Sequence, residues 1–367
     1  MVCNCTRLKM ECLRALFGGF LLLWGLTVSA DTLPPCEFPA IYNFGDSNSD
    51  TGGISAAFEP IRAPYGEGFF HKPAGRDSDG RLIIDFIAER LKLPYLSAYL
   101  NSLGADFLHG ANFATGGSTI RRQNETIFQY GISPFSLDMQ IVQFNQFKVR
   151  TKDLYDEAKS DSDRNKLPRP EDFAKALYTF DIGQNDLSVG FRTMNSDQLL
   201  AAMPEIVSEL ASAVTNIYQR GGRTFWIHNT GPIGCLPVNL FYVKSPPPGF
   251  LDQYGCVKTQ NQMAVEFNKQ LKDRVYDLIS NAKDLGYADP LKVCCGYHEN
   301  YDHVWCGNSA NINNTQVYGA SCKDPSKFIS WDGVHYTQAA SQWVANHTHY
   351  GMLTDPPVPL VQSCHRR

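Results

Sequence analysis

Ala40-Ile41-Tyr42-Asn43-Phe44 runs straight into Gly45-Asp46-Ser47-Asn48-Ser49-Asp50-Thr51-Gly52. The first five residues read as a short buried strand and the rest as a polar, glycine-bounded turn. A serine there sits at a strand tip with a helix N-terminus behind it, a geometry that exposes a hydroxyl and favours negative charge nearby. Further along, strands are read at Leu177 to Ile182 and Thr224 to His228. Helical patterns cover Leu82 to Leu91, Pro204 to Arg220, Val257 to Asp284 and Thr337 to Tyr350. Pro204 near a start and Gly221-Gly222 past an end serve as helix punctuation. The alternation predicts an α/β fold, a mostly parallel sheet with helices on both faces and functional loops at C-terminal strand ends. Lys152 to Pro170 and Lys244 to Gly255 read as loops. Neither is long enough to separate a pair of domains, so residues 31–367 are expected to form one.

The chain has 367 residues, 43% hydrophobic and 19% charged, enough apolar content to bury a core. Its 33 Lys and Arg against 37 Asp and Glu give a net charge of -4 with no basic block. A nucleic-acid partner is therefore not expected. Arg7, Lys9 and Arg14 precede an apolar run from Leu16 to Leu26, and Val28-Ser29-Ala30 follows as a small-x-small cleavage pattern. Residues 1–30 read as a secretory signal peptide, the run being about eleven residues against the roughly 20 a membrane span needs. No other stretch approaches that length, so no transmembrane segment is expected and the mature chain is placed outside the cell.

Beyond the leader stand Cys36, Cys235, Cys256, Cys294, Cys295, Cys306, Cys322 and Cys364. An even number in a secreted chain points to disulfides, mainly stapling the C-terminal third. Sequons at Asn124, Asn313 and Asn346 are candidate glycosylation sites. A metal is not expected: no Cys-x-x-Cys pair occurs, His298 and His303 are five apart rather than four, and His347-x-His349 stands alone.

Three more segments carry chemistry. Gly110-Ala111-Asn112-Phe113-Ala114-Thr115-Gly116-Gly117-Ser118 has the paired glycines that let backbone N–H groups approach a ligand. Asp181-Ile182-Gly183-Gln184-Asn185-Asp186 puts an asparagine amide, a neutral donor suited to an oxyanion, at another strand tip. Trp331-Asp332-Gly333-Val334-His335 spaces a carboxylate and an imidazole so that one orients the other. Each has a plain alternative: a tight loop, a helix cap, a surface histidine.

Their joint order resembles the GDSL esterase/lipase family, a branch of the SGNH hydrolases, over nearly all of the mature chain. Trp226 to Pro237, Cys294-Cys295-Gly296-Tyr297 and Trp331 to His335 resemble the plant secreted subgroup in detail. The resemblance implies a flavodoxin-like three-layer α/β/α sandwich. It implies Ser47 as nucleophile, His335 as general base and acid, and Asp332 orienting His335. The oxyanion hole it implies is the N–H of Ser47, the N–H of Gly117 (five residues after Asn112, with Gly116 the alternative) and the side chain of Asn185. Asn48 stands where the family's name has leucine. The Gly-x-Ser-x-Gly elbow of α/β-hydrolases is absent, because Ser49 fills the last place. The implied activity is hydrolysis of carboxylic esters, with short acyl or acetyl esters of carbohydrate or small metabolites, or lipids, as substrates and no cofactor. An α-fucosidase-like glycosidase, a non-catalytic secreted glycoprotein and an acyltransferase are the other readings.

Overall fold

The computed structural model describes residues 35–123, 131–241, 243–275, 292–299, 302–355 and 357–365. Among these residues its central sheet has four strands: β1 (Ile41–Gly45), β2 (Gly110–Asn112), β3 (Leu177–Asp181) and β4 (Thr224–Ile227). All pair in parallel, in the order β2-β1-β3-β4. Gly45 and Asp181 stand opposite each other at the C-terminal ends.

Alternation along β1 explains the layers. Tyr42 and Phe44 point into one core with Phe144, Leu210 and Phe267, while Ile41 points into another with Ile84, Ile87 and Ala345. Both faces are therefore apolar, as a buried parallel sheet requires. On the first side lie α2 (Leu137–Glu157), α4 (Ser196–Gln219) and α5 (Lys258–Val275); on the second lie α1 (Ile83–Arg90) and α6 (Gln338–His349). The remaining helix of this length, α3 (Gln184–Thr193), follows β3 and buries Leu187 on the first side. The result is the three-layer α/β/α sandwich that the alternation predicts.

Two sequence boundaries are corrected. Pro204 lies inside α4, which starts eight positions earlier than expected. Asn195 accepts from the Gln198 N–H and Gln198 accepts from the Asn195 N–H, both at 3.0 Å, and this capping box outranks the proline as a start signal. Leu199 and Met203 extend the buried stripe ahead of Ile206. The loop expected from Lys152 is helical to Glu157, because its charged residues are the solvent end of α2, whose buried side includes Phe144, Phe147 and Thr151. A short turn, Asp161–Arg164, then adds more helix. The final nine residues of the long helix read at Val257 to Asp284, the expected signal peptide, and Asn124 lie outside the described residues.

All eight cysteines after residue 30 pair: Cys36–Cys364, Cys235–Cys256, Cys294–Cys322 and Cys295–Cys306. The last two lace β5 (Tyr297–Glu299) and β6 (Asp302–Val304) to a small core around Trp331. A second hairpin, β7 (Ser309–Ile312) and β8 (Thr315–Tyr318), turns at Asn313 and Asn314. Asn313 is exposed there, whereas Asn346 lies within α6 and accepts from Arg90. Among the described residues, no helix is long and apolar enough to cross a membrane.

Candidate active site

Ser47 stands two residues past the end of β1, after Asp46, and is buried. The turn is built around a carboxylate. Asp50 accepts from the N–H groups of Gly52, Gly53 and Ile54 at 2.7, 2.5 and 2.9 Å, and from Gly116 at 2.8 Å. Asn43 and Asn112, cross-linked at 2.8 Å, brace it from below through Ser49 and Thr51. Gly45 has no alternative, because a Cβ would come within 2.5 Å of the Asp181 carbonyl oxygen. Gln140 of α2 brackets the Gly45 backbone, accepting at 2.9 Å and donating at 2.8 Å.

The two candidate glycines of the glycine block differ in what their N–H groups do. Gly116 has already given its N–H to Asp50. Gly117 has φ +80°, and none of the described residues accepts from its N–H or from that of Ser47. Asn185, in the first turn of α3, donates to the Ser118 carbonyl at 3.0 Å, which sets its amide against this block. Asp186 does not cap its own helix. Its carboxylate receives the N–H groups of Ile120 and Arg121 at 2.8 and 3.1 Å, and burial raises its pKa to about 7 against those bonds.

At the C-terminal end, Asp332 Oδ2 meets His335 Nδ1 at 2.7 Å, while Oδ1 accepts the N–H groups of Val334 and His335. Gly333 makes the turn at φ +100°. Tyr65, which sequence reasoning missed, donates its hydroxyl to Asp332 at 2.6 Å. Burial opposes the Asp332 charge, yet His335 and that hydroxyl hold its pKa at about 2. Burial likewise opposes the imidazolium of His335, yet Asp332, Asp77 and Asp46 together raise it to about 9. Asp77 is the second missed residue. Its carboxylate lies 3.5 Å from where a Gly116 Cβ would stand, and burial brings its pKa to about 6. No pattern marks it, because it sits in a run of alternating Asp and Ser.

The four sequence blocks thus meet at one place. Asp46, beside Ser47, and His335 each shift the other's protonation. Asp46, Gln184 and Tyr336, the sequence neighbours of Ser47, Asn185 and His335, line one small cavity at the strand tips. Among the described residues, no group of three or more His, Cys, Asp or Glu side chains is arranged to hold a metal ion.

A parallel α/β sandwich with a serine and an asparagine at adjacent strand tips, and an Asp–His pair brought to them by a loop outside the sheet, matches the class of SGNH-type hydrolases. The family model for GDSL-like Lipase/Acylhydrolase matches residues 41–348, and the chain belongs to that family. It is 66% identical to "GDSL esterase/lipase At5g14450" of Arabidopsis thaliana, covering 99% of each chain. It is 48% identical to "GDSL esterase/lipase ACHE" of Zea mays over 90% of each. It is also 47% identical to "Alpha-L-fucosidase 3" of Arabidopsis thaliana, over 84% of this chain and 89% of that one. The protein is a carboxylic ester hydrolase.

Proposed function

We propose that the protein is a serine esterase that cleaves short acyl esters of carbohydrates or small metabolites through an acyl-serine. What carries the reading is the 2.7 Å Asp332–His335 pair, with His335 near enough to Asp46, the neighbour of Ser47, for each to shift the other's protonation. Neutral His335 takes the proton of the Ser47 hydroxyl as the oxygen attacks the ester carbonyl. The oxyanion is received by the N–H groups of Ser47 and Gly117 and by the Asn185 amide. His335 returns the proton to the departing alcohol, the acyl-serine forms, and water repeats the sequence to release the acid. Asp332 fixes the tautomer of His335, and Tyr65 fixes Asp332.

The leader pattern, four disulfides and the exposed Asn313 sequon support secretion as a glycoprotein, with one hydrolase domain after residue 30. The test is hydrolysis of p-nitrophenyl esters from acetyl to palmitoyl, beside Ser47→Ala. Activity confined to short chains and lost in the variant is expected. A folded Ser47→Ala that keeps full activity sinks the mechanism. Glycoside cleavage is the second reading: Asp46 and Asp181 line the same cavity, and two carboxylates are what that chemistry uses. Release of p-nitrophenol from an α-L-fucoside, abolished by Asp181→Asn, would favour it.

A further inference from the structure

An open cavity of about 490 Å³ lies beside the catalytic turn, large enough for a drug-sized ligand. One wall is Phe241. The other is β5 and β6, where His298 stands opposite His303 and Glu299 opposite Asp302. This hairpin is fixed to the catalytic loop. The N–H groups of Cys294 and Cys295 donate to the carbonyls of Ser330 and Trp331 at 3.1 and 2.6 Å. Val238 donates to the Gly333 carbonyl at 3.2 Å, and a Cβ on Gly333 would come within 2.6 Å of the Phe241 ring. A ligand in the cavity is therefore held in fixed relation to His335.

The lining narrows the ligand. His298 stacks on Phe241, with centroids 4.1 Å apart, and lies parallel to His303 at 5.6 Å. Both its ring nitrogens are buried and meet no hydrogen-bond partner among the described residues. Burial, then His303, lowers its pKa to about 4, so the ring is neutral and offers one donor and one acceptor. Such groups are unfavourable to bury unless something pairs with them. Among the described residues the lining carries two carboxylates, Glu299 and Asp302, against one lysine, Lys292, and this net negative balance disfavours a carboxylate or phosphate ligand. A fatty chain would leave His298 unpaired. A neutral ring with hydroxyls on its edge and C–H groups on its face satisfies both the imidazole and the aromatic wall.

We propose that this cavity is a pyranose subsite, holding the sugar alcohol of the ester whose acyl group reacts at Ser47. The proposal rests on the esterase reading, and its test separates the two. Wild-type protein would be titrated with xylotetraose and cellotetraose by calorimetry, a measurement independent of hydrolysis. Saturable binding of either is expected. Then kcat/KM would be compared on acetylated xylo-oligosaccharide and on p-nitrophenyl acetate. His298→Ala and the rim variant Asp302→Asn are expected to lower the ratio of the two about 10-fold, by raising KM for the sugar ester. Asp302 is exposed, so its variant does not threaten folding. Absence of oligosaccharide binding, or a ratio unchanged in both variants, overturns the subsite. Absence of hydrolysis on p-nitrophenyl acetate by wild type overturns the esterase reading, while the calorimetry still scores the subsite.

Discussion

Replacing Asp77 with asparagine is expected to lower the pKa that governs ester hydrolysis. A general base works as neutral imidazole, so kcat/KM should climb with pH through the pKa of His335. With that value at about 9, roughly 1% of the imidazole is neutral at pH 7. Burial alone would push the pKa down; Asp332, then Asp77, then Asp46 push it up. Asp77 is the carboxylate to remove, because it has no hydrogen bond among the described residues and does not belong to the dyad. Loss of one nearby opposite charge moves a pKa by about 1 unit or more. Activity at pH 7 should then rise about 10-fold in Asp77→Asn. Stability runs the other way. The folded pKa lies above the unfolded value, so the His335 contribution is full below about 6.5 and is lost as pH rises through about 9. For a side chain only 15% exposed, that difference is worth about 3 kcal/mol. The assay is kcat/KM on p-nitrophenyl acetate from pH 5 to 10, corrected for spontaneous hydrolysis, with urea midpoints at each pH. A wild-type limb at or below pH 6.5, or a limb unmoved by Asp77→Asn, refutes the argument.

Gly117→Ala should lower kcat by about 100-fold or more, since its Cβ would fall 2.1 Å from the Gly131 carbonyl oxygen at φ +80°, displacing the open N–H. Gly116→Ala meets Ile54 at 3.0 Å and should be milder; the reverse ranking by turnover would move the oxyanion role to Gly116. Arg76 pairs with Asp85 at 2.7 and 2.8 Å, both buried, so Arg76→Met strands a carboxylate and should cost about 3–5 kcal/mol in urea unfolding. A loss below about 1 kcal/mol would mean that Asp85 finds other compensation. Opening Cys36–Cys364, which joins residues 328 apart, by a double change to serine should lower stability by about 2–5 kcal/mol. Unchanged urea midpoints would contradict that.

Much of this architecture is legible in the chain because periodicity and punctuation agree. Strand β1 alternates between two cores, and α6 begins at Thr337, its cap, where the helical pattern begins. The errors are local. Pro204 imitates a helix start, and only the Asn195–Gln198 exchange shows where α4 begins. Strand β2 has three residues, Gly-Ala-Asn, too few to show a period, and it exists because β1 offers it an edge. The proposed site residues Ser47, Asn185, Asp332 and His335 stand out in the chain because each lies in a short spaced motif. Tyr65 and Asp77 reach the dyad by folding alone, from segments with no spacing relation to it, so one sequence cannot mark them.

The sheet by itself places only some of the proposed machinery. Ser47 and Asn185 stand at the tips of β1 and β3, adjacent strands, so parallel pairing sets their spacing. His335 belongs to no strand of the sheet and must be delivered from outside it. Three constraints do this: α6 packed on α1, the disulfide-laced hairpin bonded to Ser330 and Trp331, and Tyr65 on Asp332. Reduction of the bridges should therefore affect turnover before it affects the sheet. Under mild reductant, loss of ester hydrolysis is expected to precede loss of far-ultraviolet dichroism. Coincident loss of the two signals would mean that the hairpin and the sheet unfold as one unit, and that the staples serve the fold rather than the placement of His335.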